Sequence, residues 1–415
     1  MQFSKTIFLL GFVLLISCQK SVKPLKVGDW WGAMDVSDSE TLPFNFTISK
    51  DSEGEYIMTM FNANEEVVVD EIVMDNGDLR IQMPIFEGYI SGTYDENSMQ
   101  GSFIKESLNR IVPFHATFGK RDRFELTEEA AVNVSGIWET NFKDGMDDQY
   151  PAKGIFEQQG SRVTGTYRTN TGDYRFLEGA VNGNTLKLSA FDGAHVFLFT
   201  AEVTDSIMEG TFYSGNHSVE SFTAKRNAGF ELPDSNSLTY LKEGFDRFNF
   251  SFENENGQLV SLTDEQFQNK PVLVQIMGTW CPNCLDETRF YVDYLEKNPD
   301  LDVQFMALAF EYAKTKEKAW EGISRLKERV GVPYPVLLAQ YGTSSKQKAN
   351  EKLPMLNHVL SYPTTIYIDK EGNVKKIHTG FNGPATGEKY EVFKKEFDST
   401  IKELTSEKEE EVALR

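Results

Sequence analysis

Between about residues 27 and 228, apolar and polar residues alternate in short runs broken by Gly, Asn and Asp, the pattern of strands that bury one face. The runs also repeat. Gly28-Asp-Trp30 returns as Gly136-Ile-Trp138, Pro43 as Pro151, Leu79-Arg-Ile81 as Leu186-Lys-Leu188, and Phe86-Glu-Gly88 as Phe191-Asp-Gly193. Met99-Gln-Gly-Ser-Phe103 matches Met208-Glu-Gly-Thr-Phe212, and Phe114-His-Ala116 matches Phe222-Thr-Ala224. The offsets stay between 105 and 109 residues. So small a drift predicts two copies of one all-β unit, residues 27–125 and 126–228, each a sandwich or barrel-like module. The repeated Trp and Phe read as core, or alternatively as the lining of a ligand groove. His115, His195 and His217 have no metal-ligand spacing and read as ordinary strand or loop residues.

The pattern changes after a polar linker over residues 229–243, which contains Pro233-Asp-Ser-Asn-Ser237. Phe248 to Phe252 and Leu259 to Leu262 flank an Asn256-Gly257 turn and predict a small hairpin. Pro271 to Ile276 reads as a buried strand, followed from Pro282 by a helix with Cys284, Thr288, Tyr291 and Leu295 along one face. Strands are expected at Val303 to Phe310, Pro335 to Leu338, Pro363 to Asp369 and Val374 to His378, with a helix from Thr315 to Val330. Tyr390, Phe393, Phe397, Ile401 and Leu404 form the apolar stripe of a last helix. An α/β domain is thus expected over residues 244–405, with an acidic tail at 406–415. The stretch from Gln340 to Leu360, with Lys346, Lys348, Lys352 and His358, reads as a solvated loop, or alternatively as the border of a substrate groove.

Composition narrows the function. A formal net charge of -21 excludes nucleic acid as a natural partner, because a polyanion is repelled. Three cysteines are too few for a disulfide-stapled scaffold. Lys5 and the apolar run Ile7 to Ile16 read as an export signal, since a membrane-spanning helix needs roughly 20 residues. Leu15-Ile16-Ser17-Cys18 resembles the bacterial lipobox. The resemblance implies a signal peptide over residues 1–17, lipid attachment at Cys18, a tether over 18–26, and a protein anchored at a membrane and facing the periplasm.

The other two cysteines lie in Gly278-Thr-Trp-Cys-Pro-Asn-Cys-Leu-Asp-Glu287, between a predicted strand and a predicted helix. A sulfur at a helix N-terminus meets unpaired N–H groups and the positive end of the helix dipole, which favours its ionised, nucleophilic form. Cys281 is therefore the expected attacking thiol. Cys284, one turn into the helix, is placed to attack the resulting mixed disulfide and release the substrate. Pro282 at the first helical position sacrifices no hydrogen bond. A zinc site needs about four ligands, and no second Cys or His pair is present, so no metal is expected. A purely structural disulfide closing so short a loop would constrain the unfolded chain little.

The element order resembles the thioredoxin fold. Trp280-Cys-Pro-Asn-Cys284, Glu287, the N-terminal hairpin and Tyr362-Pro-Thr364 before Ile-Tyr-Ile-Asp-Lys-Glu-Gly372 are similar to the TlpA/ResA-type membrane-anchored thiol-disulfide oxidoreductases over about residues 244 to 405. The resemblance implies an enzyme that reduces or exchanges disulfides of partner proteins and takes its electrons from a membrane thiol carrier. It needs no cofactor beyond the Cys281–Cys284 pair. It makes Glu287 the proton acceptor for Cys284, in place of the buried acid that thioredoxin carries where this chain has Gln275. It puts Trp280, Pro282, Tyr362, Pro363 and Thr364 along the substrate-binding surface, with Pro363 cis. The β repeats lie outside it.

Two other readings compete. A peroxiredoxin-like peroxidase shares the fold, but Gly278 and Val274 stand where that family has Thr and Pro before its reactive cysteine. Alternatively the β repeats carry the main function as a ligand- or protein-binding lipoprotein.

Overall fold

The computed structural model describes residues 23–143 and 148–405. The expected signal peptide, the expected lipid site Cys18, most of the expected tether and the acidic tail lie outside the described residues.

Alternation becomes antiparallel sheet in the first unit. In Tyr56–Asn62 every second side chain is buried, as a strand with one face on a core requires. Nine strands from Gly28–Asp35 to Arg110–Phe118 form a meander in which the first strand also pairs with the last, Trp30 opposite Phe118. The two edges, Glu65–Val69 and Glu71–Asp75, are consecutive in the chain, so this sheet is a barrel open at one seam. The second unit closes fully. Gln149–Gln159 pairs with both Gly136–Lys143 and Arg162–Thr169, and the short strand Gly172–Asp173 adds to the latter. Barrels, not sandwiches, are what the alternation builds, because closure leaves few unpaired edges.

The repeat is visible atom by atom. Trp30 Nε1 donates to Lys26 O at 3.0 Å, and Trp138 Nε1 to Val134 O at 2.8 Å, so both tryptophans tie a barrel wall to the segment entering it. Both are buried in the cores, as read from sequence. Phe191 leaves its own barrel and packs at 5.0 and 5.1 Å from Phe44 and Phe103 of the first. Asn62 holds it there through the Phe191 backbone N–H and carbonyl.

The third unit is a seven-stranded mixed sheet. Its centre is three parallel strands, Val272–Met277, Gln304–Phe310 and Val336–Gln340, extended by antiparallel Thr364–Ile368 and Val374–Thr379 on one side and the small hairpin on the other. Every residue of Val272–Met277 is buried, as in a parallel strand covered on both faces. Helix Lys316–Val330 starts at Thr315, whose side chain accepts the Lys318 N–H, and stops at Gly331 in the left-handed conformation (φ 75°). Helix Glu388–Thr405 buries Phe393, Phe397, Ile401 and Leu404, and Phe397 packs on Phe290 and Tyr291 of helix Pro282–Lys297.

Two expectations need correction. Gln340 to Leu360 is not a solvated loop. It contains helix Lys346–Lys352 and buries Ala349, Leu353, Met355, Leu356 and Val359, whose apolar spacing outweighs the lysines between them. Nor is 229–243 a free linker. Thr379 N–H donates to Ser235 O, Asn357 N–H to Tyr240 O and Lys242 N–H to Met355 O, which bonds the segment to the third unit.

Phe142 lies among Tyr150, Tyr167, Tyr174, Phe199, Phe212 and Phe222 at centroid distances of 5.2 to 6.2 Å. Removing it should lower stability by about 3–5 kcal/mol. Denaturant unfolding of Phe142→Ala checks this, and a loss below about 1 kcal/mol would contradict a packed aromatic core.

Candidate active site

The buried strand Val272–Met277 delivers the chain to Gly278, where a Cβ would fall 2.4 Å from Trp280 Nε1. Glycine therefore lets the indole fold back, and its Nε1 donates to Phe310 O at 2.9 Å. Thr279 is fixed by Glu311, whose carboxylate accepts both its N–H and its hydroxyl at 2.8 Å. Trp280 packs 5.4 Å from Tyr312 and 5.5 Å from Tyr362 and remains partly exposed.

Cys281 is the N-cap of helix Pro282–Lys297, with extended backbone (φ -99°, ψ 113°) and Pro282 at the first helical position. Its sulfur accepts the Cys284 N–H at 3.2 Å and donates to Tyr362 O at 3.3 Å. Both thiols are free. They are not equivalent. Cys281 is 7% exposed and Cys284 fully buried, and burial, aided by the neighbouring Cys281 sulfur and the Glu287 carboxylate, pushes the Cys284 thiol well up.

Glu287 is fully buried. Gln275 Nε2 donates to it at 2.8 Å and Thr365 Oγ1 at 3.0 Å. Burial nevertheless pushes its carboxyl up to about 7, against the pull of those hydrogen bonds. Gln275, which sequence reasoning treated only as a missing acid, is thus the residue that orients Glu287.

The Tyr362–Pro363 peptide bond is cis. Tyr362, Pro363 and Thr364 are all buried. The backbone here is partly occupied: Tyr362 O takes the Cys281 thiol and Pro363 O the Gly380 N–H at 2.9 Å. Thr364 Oγ1 donates to Ser361 O at 2.9 Å, so this side chain holds the turn instead of facing outward. In the insertion, Lys346 is exposed at the first position of helix Lys346–Lys352. Lys348, Lys352 and His358 are exposed, and the His358 ring meets Leu238 O. His378 pairs with Asn236, and burial lowers its ring to about 4.

Sequence reasoning missed two groups of residues. Glu311 is one: it is buried, and burial pushes its carboxyl up to about 7. An acid directly after the apolar strand Gln304–Phe310 was the available signal. The second is the loop Thr171 to Arg175 of the second barrel. Ser361 Oγ donates to Thr171 O at 2.7 Å, Asn283 Nδ2 to Asp173 O at 3.0 Å, and Arg175 Nη1 to Pro282 O at 3.1 Å. No local sequence signal links residues so far apart. Among the described residues no cluster of three or more His, Cys, Asp or Glu side chains is placed to hold a metal ion, and no helix is long and apolar enough to cross a membrane.

Comparison with known proteins agrees with this chemistry. Residues 231–392 match the Redoxin family model, which leaves both barrels outside it. The chain is 26% identical over 140 residues to the thioredoxin-like protein YneN of Bacillus subtilis, covering 34% of this chain and 73% of that protein. It is 29% identical over 113 residues to the thiol:disulfide interchange protein DsbE of Pasteurella multocida, covering 27% of this chain and 52% of that one, about half its length. Among solved structures, a thioredoxin-family thiol:disulfide interchange protein from Chlorobium tepidum aligns with 39% of this chain and 97% of its own, at 19% identity and a TM-score of 0.29. Two free thiols at the start of a helix inside a Redoxin domain support a thiol-disulfide oxidoreductase of the thioredoxin superfamily.

Proposed function

We propose that the protein reduces or exchanges disulfides of partner proteins at the outer face of a membrane, held there by a lipid on Cys18 and recharged by a membrane thiol carrier. The anchor, the periplasmic location and the carrier rest on the lipobox-like Leu15-Ile16-Ser17-Cys18 and on the TlpA/ResA resemblance. The observation that carries the chemistry is the asymmetry of the pair: one sulfur capping a helix, the other sealed behind it beside a carboxyl raised to about 7.

In this reading the ionised Cys281 sulfur attacks a substrate disulfide and displaces one substrate thiolate, which takes up a proton. Cys284 passes its proton to Glu287, directly or through one water, and attacks Cys281. The Cys281–Cys284 disulfide forms as the bond between Cys281 and the substrate breaks, and the second substrate thiolate leaves and takes up a proton. Two electrons and two protons have then passed to the substrate. Trp280 and the Tyr362–Pro363 turn flank Cys281 and form the walls against which a substrate segment lies, while Pro282 and Thr364 fix the two turns. Residues 27–125 and 126–228 are the two barrels and 244–405 the redox unit.

With reduction of insulin disulfides as the readout, Cys281→Ser should lose activity by about 100-fold or more. Cys284→Ser should accumulate a mixed disulfide on Cys281, detectable by mass. Turnover that survives Cys281→Ser contradicts the mechanism.

Glu287 makes a prediction about pH. Only its ionised form can accept the Cys284 proton, so resolution of the mixed disulfide should accelerate as pH rises to about 7 and then level off. Glu287→Gln should remove that inflection and slow resolution by about 100-fold. The same group has an opposite effect on stability. Its folded carboxyl holds the proton more tightly than the unfolded value of 4.5, so its contribution is most favourable below that pH and falls as pH climbs to about 7. Glu287→Gln should therefore flatten the stability profile between these values, and single-turnover kinetics with unfolding curves at several pH values check both effects.

A further inference from the structure

Arg175 stands where the three units meet. Its backbone is left-handed (φ 57°), a conformation that residues with long side chains rarely hold. The turn is fastened by Asp173, whose Oδ1 accepts the Arg175 N–H at 2.7 Å. From this position the side chain, only 6% exposed, reaches one carboxylate in each unit. These are Glu65 in the first barrel, Asp192 in the second (3.3 Å from Nε) and Asp286 on the helix that carries the cysteines. Burial works against the guanidinium charge, and the three acids more than offset it. Backbone strain that persists in a buried cluster of ionisable groups points to a function at that place.

What the cluster grips is the turn between the cysteines. Arg175 Nη1 donates to Pro282 O at 3.1 Å, and Asn283 Nδ2 donates to Asp173 O at 3.0 Å. Both residues of the Cys-Pro-Asn-Cys dipeptide are thus held from the second barrel. The approach is close: a Cβ on Gly172 would lie 2.2 Å from Asn283 Nδ2.

We propose that Arg175 is a positioning residue for the redox pair, fixing the Pro282–Asn283 turn and setting positive charge against the helix start, so that the dithiol–disulfide equilibrium depends on a residue outside the Redoxin domain. The inference rests on the reading of Cys281 and Cys284 as a redox pair. When a substrate disulfide is reduced, two electrons and two protons leave the two thiols and the Cys281–Cys284 bond forms. The Arg175 guanidinium, bonded to the carbonyl of the residue that follows Cys281, favours the dithiol side, where the Cys281 sulfur can carry negative charge. Losing Arg175 also removes a shared partner of Glu65, Asp192 and Asp286, although His195 still faces Asp192 and Arg289 still faces Asp286, and the added negative charge works in the same direction.

The test uses the full chain. Wild type, Arg175→Met and Arg175→Lys are equilibrated with a dithiothreitol series and the disulfide fraction is read by mass, beside kcat and KM for insulin reduction and denaturant unfolding. Arg175→Met should move the equilibrium about fivefold toward the disulfide, about 21 mV more reducing, with lower kcat and little change in KM. Arg175→Lys keeps the charge without the fork and should move it less, but still by about twofold. Where Arg175→Met does not fold, Arg175→Lys decides alone. A shift below about twofold in the folded variants overturns the proposal even if stability falls, since a merely structural residue would lower stability without moving the potential. Absence of a reversible couple in the wild type would instead overturn the reading of the cysteine pair itself.

Discussion

A helix start buried inside a protein has N–H groups that need acceptors. Here one acceptor is a sulfur: Cys281 receives the Cys284 N–H at the head of helix Pro282–Lys297. That single arrangement fixes where the reactive atom sits, which way Cys284 faces and what must surround them. The strand Val272–Met277 aims the chain at this point, Gly278 lets Trp280 fold over it, and the cis turn at Tyr362–Pro363 closes the other side.

Two buried acids flank the helix start. Glu287 lies behind Cys284 and Glu311 beneath Thr279, and burial raises both to about 7. An isolated buried carboxylate is costly, so each is kept by specific donors: Gln275 and Thr365 for the first, the Thr279 N–H and hydroxyl for the second. The two differ in what they touch. Glu311 secures the loop before Trp280, whereas Glu287 influences the Cys284 thiol. The barrels complete the enclosure. Arg325 and Arg329 join Glu71 and Asp70 at the seam of the first barrel, and the Thr171 to Arg175 loop of the second rests on the motif itself.

Much of this was legible in the chain because local patterns control it. Trp30 and Trp138 recur at the same offset because they make the same bond in each barrel. Strand alternation showed the β units but could not choose barrel over sandwich, since both bury alternate residues; closure depends on whether Gln149–Gln159 meets Arg162–Thr169. The cysteine motif, the helix after it and the last helix stood out through periodicity. The burial of Ala349 and Leu353 was hidden by neighbouring lysines. Gln275 was read for the charge it lacks, although its amide donors are what Glu287 needs. Contacts such as Asn283 with Asp173 follow from how separate units pack, and no window of sequence contains them.

The central claim is that the two sulfurs are chemically unequal because one caps the helix and the other is sealed beneath it. Timed alkylation of the reduced full chain with iodoacetamide, mapped by mass spectrometry, tests this most directly. The account predicts that Cys281 is modified about tenfold or more faster than Cys284, which reacts only when the protein unfolds. Equal rates, or faster modification of Cys284, would contradict it.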